Sequence, residues 1–179
     1  MNTKNMLLSL SLLASFPYAL ASDEVTQETV DKASKASHRI RRLLRKVLMN
    51  QHTIMKTLRE ILGLDELTGD IKGVLSYDET HILAVIVANQ YEIISLASKI
   101  AGADLSREIS IRSESLHGIP LILTNQHIII TILRQILNLD VEKFDEIVIE
   151  NEVKGLRTVL ENQDRIIALV TDIQKSCRA

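Results

Sequence analysis

The residues of this chain best equipped for chemistry are its five histidines, His38, His52, His81, His117 and His127. A metal centre needs a second His, Cys or carboxylate at ligand spacing, as in HExxH or CxxC, and none of the five has one. His52 and His127 each stand two residues after an Asn, on the side of a helix turned from its apolar stripe, so solvent-facing side chains are expected. Nucleophilic catalysis finds no GxSxG elbow, and the six glycines form no phosphate-cradling run. The adjacent carboxylates Asp78-Glu79 fit a helix start, where they oppose the macrodipole. Cys177 is the only cysteine, which excludes an internal disulfide and leaves open an intermolecular bridge or an idle thiol. No catalytic residue, metal or other cofactor is expected.

A different polar signature recurs instead. Asn-Gln occurs at Asn50-Gln51, Asn89-Gln90, Asn125-Gln126 and Asn162-Gln163, at intervals of 39, 36 and 37 residues. Near-constant spacing of this kind marks an internal repeat. Four residues after each Asn stand Ile54, Ile93, Ile129 and Ile166, and eleven after it Ile61, Ile100, Ile136 and Ile173. Three before it stand Val47, Ile86, Ile122 and Val159. These offsets return to one side of a rod turning about 100° per residue, so each unit predicts an amphipathic helix with one buried stripe.

On that wheel each Gln falls near the middle of the apolar stripe and each Asn at its edge. A primary amide in a core costs roughly 1–3 kcal/mol if left without partners. Gln51, Gln90, Gln126 and Gln163 are therefore the candidate interaction residues, bonded to one another or to a partner chain and fixing register as buried polar residues do in coiled coils. The rival reading rotates the helices slightly and leaves each Gln in water.

The elements follow from the same pattern. Helices are predicted near 25–62, as one rod or two, and near 79–101, 119–138 and 151–175. Gly63, Gly102 and Asn138 share one position where a left-handed cap is needed. Ser76 to Glu79 has capping-box spacing, and Pro120 suits a first helical turn. The stretch 119–137 is apolar nearly all round, through Leu121, Ile128 and Ile132, as befits the centre of a bundle or a subunit interface. Its Asn, Gln, His and Arg residues weigh against a membrane span. Glu108 to Arg112 and Glu146 to Glu150 alternate polar and apolar, leaving room for minor short strands in the spacers. The fold class is mainly α: a helical bundle or short helical-repeat array of four related amphipathic helices.

Residues 1–21 read as a cleaved secretion signal, with Lys4, an apolar run and Ala19-Leu20-Ala21 before the cut. Export to a periplasm or the extracellular space is expected, with 22–179 as one α-helical domain. Aromatics are 3% with no Trp, which argues against stacking platforms for bases or sugars. The net charge of −2 gives no global basic excess, and no nucleic-acid partner is expected. One dense basic segment, His38 to Lys46, forms a cationic helix face with Arg41, Arg42 and Arg45. It could meet a membrane surface or an acidic partner, or lie solvated and paired with a neighbouring helix.

The signal, followed by the helices around Asn89-Gln90, Asn125-Gln126 and Asn162-Gln163, resembles periplasmic accessory proteins of bacterial type IV secretion and conjugation machines. The resemblance implies an accessory role and assigns no functional residue. The sequence thus leads to an exported, non-enzymatic protein that works by self-association or by docking to a protein partner, with the third helix and the Gln layer at the contact. Its rivals are a helical carrier of an apolar ligand or lipid, and a secreted membrane-interacting factor led by the basic helix.

Overall fold

The computed structural model describes residues 27–65, 71–102, 116–140, 142–144 and 147–178. The expected signal, residues 1–21, and the strand-like segment Glu108 to Arg112 lie outside them. Five helices are present among the described residues: α1 (Gln27–Ile61), α2 (Ile71–Val74), α3 (Glu79–Ala101), α4 (Gly118–Ile136) and α5 (Glu152–Arg178). The first rod is single, since neither Gly nor Pro interrupts it. The described residues from Ser34 onward form one compact unit. The protein is mainly α, and the described residues contain no strand.

The ends of the helices follow from local chemistry. Asp78 caps α3, its Oδ1 accepting from the His81 N–H at 2.9 Å. Ser76 is not the cap that capping-box spacing suggests, because its hydroxyl donates to the Gly73 carbonyl at 2.6 Å. Asn151 Oδ1 likewise accepts from the Lys154 N–H at 2.9 Å at the start of α5. At the other ends Gly63, Gly102 and Asn138 take left-handed conformations, with φ of 64°, 66° and 54°. The following N–H groups of Leu64 and Leu139 donate to the Arg59 and Arg134 carbonyls, both at 2.9 Å. The same two arginines donate through Nε to the Asp65 and Asp140 carbonyls.

The four long helices point the same way. One apolar cluster gathers residues that precede the Asn-Gln pairs, including Leu44, Val47, Ile82, Ile86, Ile119, Ile122, Leu156 and Val159. The other gathers residues that follow them, including Ile54, Leu58, Ile93, Ala97, Ile129, Leu133, Ile166 and Ile173. An antiparallel pair would mix the two sets. Aligned macrodipoles repel side by side, and the termini soften this: Glu79 and Glu152 occupy first turns, and Arg59, Lys99, Arg134 and Lys175 occupy last turns.

By length and apolarity α3 and α4 could each cross a bilayer. In the bundle α4 directs its extra apolar residues Leu121 and Ile132 inward, where they are 8% and 2% exposed, while Ile128 packs at the edge of the second cluster.

Candidate functional site

The centre of the bundle is a layer of amides between the two clusters. Gln51, Gln90, Gln126 and Gln163 are each 1% exposed. Gln51 Nε2 donates to the Ile86 carbonyl, Gln90 Nε2 to Ile122 and Gln126 Nε2 to Val159, each at 2.9 Å. Gln163 Nε2 donates to the Val47 carbonyl at 3.1 Å. In every case the acceptor lies three residues before the Asn of the next helix, so the circuit runs α1, α3, α4, α5 and back to α1.

A second set of bonds interlocks with the first. Asn89 Nδ2 donates to Gln51 Oε1 at 3.1 Å, Asn125 to Gln90 and Asn162 to Gln126 at 3.2 Å. Each accepting Gln is thereby held by both ends of its amide. The fourth link is open: Gln163 Oε1 is buried with no partner, and so are Asn125 Oδ1 and Ser98 Oγ. Sliding any helix by one turn would break its bonds to both neighbours and strand amides in an apolar interior, so the layer fixes register. These side chains meet each other and the backbone of their own chain. Their place in the interior removes the water-exposed alternative and leaves them no open face toward another molecule.

The outer surface holds two further groupings. On α4, His127 is half-buried, and its ring stacks on Phe144 with centroids 3.9 Å apart and planes 10° from parallel. The expectation of a solvent-facing His127 is corrected by this ring, which the segment after α4 lays over it. His52 is half-buried too. Burial, then the Arg165 guanidinium, holds the His127 imidazole below its ordinary 6.5, with Glu142 opposing. Glu142 accepts from Arg165, the main reason its carboxyl sits below the usual range, and lies 3.7 Å from Arg134. Beside them a half-open cleft of about 390 Å³ is lined by Leu123, Phe144, Ile147, Ile149, Thr158 and Asn162, among others. On its charged rim Arg165 pairs with Glu142 and Lys154 with Glu150, while Lys143 has no ion-pair partner among the described residues.

The basic residues lie apart from both. Arg41, Arg42 and Arg45 are exposed on α1. Arg41 Nε stands 3.9 Å from Glu79 Oε1, which also accepts from the Ser37 hydroxyl. Arg42 and Arg45 have no ion-pair partner among the described residues. The structure therefore brings the four glutamines together in one layer and keeps the arginines outside it. Sequence reasoning missed Phe144; its one visible signal is a lone aromatic in a spacer of an aromatic-poor chain. Among the described residues no group of three His, Cys, Asp or Glu is placed to hold a metal. Comparison with known proteins finds no matching family, curated protein or solved structure.

Proposed function

We propose that this chain is an exported, non-enzymatic helical scaffold that acts by self-association or by docking to a protein partner. The observation that carries the reading is the amide layer. The polar groups that recur along the sequence are engaged in holding four parallel rods in register, which leaves function to the outer surface. That surface offers apolar residues at one end of the bundle, where Leu64 and Leu139 follow equivalent caps and are each 43% exposed. The proposed contact with another protein lies on these two exposed leucines. An accessory role in a secretion or conjugation machine is the narrower form of this proposal and rests on the signal pattern and the helices alone.

Size-exclusion chromatography with light scattering tests it. The chain from residue 22 is expected to exceed monomer mass at tens of micromolar or to co-elute with a cell-envelope partner. The double variant Leu64→Lys, Leu139→Lys is expected to run as a free monomer. A chain whose mass and partners are unchanged in the variant would refute this contact.

The cleft favours a second reading, a small-ligand carrier, since its volume falls within the range of known ligand sites. Native mass spectrometry of a freshly purified monomer would reveal such a ligand as a discrete added mass.

A further inference from the structure

From Lys32 to Arg59 the chain carries nine Lys or Arg and no Asp or Glu, although the whole protein is net −2. Cationic charge is thus concentrated on one helix while acidic charge is spread over the rest. Lys35, Arg39, Arg42, Arg45 and Lys46 are all exposed, and so is Met49, 52% accessible. Positions 35, 39, 42, 46 and 49 follow helical spacing and trace one stripe about 21 Å long. Among the described residues only Arg41, at the stripe's edge, is held by an acidic neighbour, Glu79. Arg39, Arg42, Arg45 and Lys46 have no acidic partner among the described residues.

We propose that this face of α1 docks the protein onto an anionic lipid bilayer. Two observations choose a bilayer over another polyanion. The stripe ends in the exposed thioether of Met49 and has the half-buried Leu43 along one side, an apolar edge that the boundary between headgroups and acyl chains accepts and a polyphosphate does not use. The chain also lacks aromatic platforms for bases, with aromatics at 3%. The opposite side of the same helix packs into the bundle through Leu44, Val47 and Gln51, so the cationic face is turned away from the core.

The test is co-sedimentation of the full chain with vesicles of phosphatidylcholine alone or mixed with phosphatidylglycerol, at low and high salt. Binding is expected to be at least tenfold tighter to the anionic vesicles and to weaken as salt rises. Each cation near such a surface contributes about a fivefold increase in binding, so Arg42→Glu, Arg45→Glu, Lys46→Glu together should weaken it about a hundredfold or more. If that triple variant loses helicity, the corresponding Arg42→Gln, Arg45→Gln, Lys46→Gln protein is read instead. Equal binding to both vesicle types, or variant binding within twofold of the parent, overturns the proposal. Retention of duplex DNA without vesicle binding also overturns it, in favour of a nucleic-acid surface. These residues are distinct from Leu64 and Leu139, so failure here leaves the scaffold reading standing.

Discussion

The side-chain amide of Gln163 reaches the Val47 carbonyl across 116 residues of sequence, at 3.1 Å. That bond joins the last long helix to the first and closes the circuit. It is also the weakest seam, because Asn50 does not complete the reciprocal bond that Asn89, Asn125 and Asn162 make elsewhere and Gln163 Oε1 is left alone.

This asymmetry ranks two otherwise similar substitutions. Gln90→Leu strands the Nδ2 of Asn125, which is 0% exposed, whereas Gln163→Leu removes an oxygen that already has no partner. Leaving a buried donor unmet costs about 1–3 kcal/mol. Urea denaturation should therefore find Gln90→Leu less stable than Gln163→Leu by at least ~1 kcal/mol. Equal midpoints would remove the interlocking role assigned to the Asn side chains.

Gly155 marks a close approach of α5 to its neighbours. A methyl there would lie 2.9 Å from Ile119 Cγ2 and 3.3 Å from Ile149 Cγ2. Ala is ordinarily better than Gly in a helix by about 1 kcal/mol, but overpacking costs roughly 1–3 kcal/mol. Gly155→Ala is expected to lower the thermal midpoint, and a raised one would mean that Ile119 and Ile149 yield freely.

The caps allow a cleaner contrast. Gly102 has a positive φ and open space around its missing methyl, so Gly102→Ala incurs backbone strain alone, about 1–2 kcal/mol. Asn138 holds the same conformation with a side chain, and Asn138→Gly should be neutral or slightly stabilising. Calorimetry on the two variants reads both signs.

The stacked histidine sets a pH dependence. His127 in the folded chain lies below its ordinary 6.5, so its contribution to stability is full above that value and is lost as pH falls through the folded value, because the unfolded chain takes the proton first. Glu142, lowered by Arg165, adds a similar loss below 4.5. Glu152, raised by burial and then by Glu79, acts the other way, its contribution fading as pH rises above 4.5. Denaturation midpoints from pH 8 to 5 should fall less steeply for His127→Gln than for the parent. Parallel curves would show that burial and Arg165 do not bias the imidazole.

The long helices and the inward course of the glutamines are legible in the sequence because both depend on local periodicity. Helix direction is not, since an apolar stripe reads the same for parallel and antiparallel neighbours. What decides it is the reach of each Gln to the carbonyl three residues before the next Asn, a relation between helices. Burial of His127 escaped the helical wheel because Phe144 arrives from a spacer. The alternation in 147–149 is present, with Ile147 and Ile149 half-buried and Val148 78% exposed. This segment has no partner strand among the described residues, because its apolar side packs on the helical cluster instead. Helix α5 continues to Arg178, beyond the predicted 175, since Ser176, Cys177 and Arg178 include neither Gly nor Pro.

Parallel rods have a consequence for the newly made chain. Two adjoining antiparallel helices can fold on each other across a short turn, but here the glutamine bonds between successive neighbours span 32 to 35 residues and the closing one spans 116. The closing contact must wait until α5 has left the ribosome. Such non-local topology slows barrier crossing relative to up-and-down bundles. Until then the oily side of α1 lacks its last neighbour and stays open to contact with other unfinished chains.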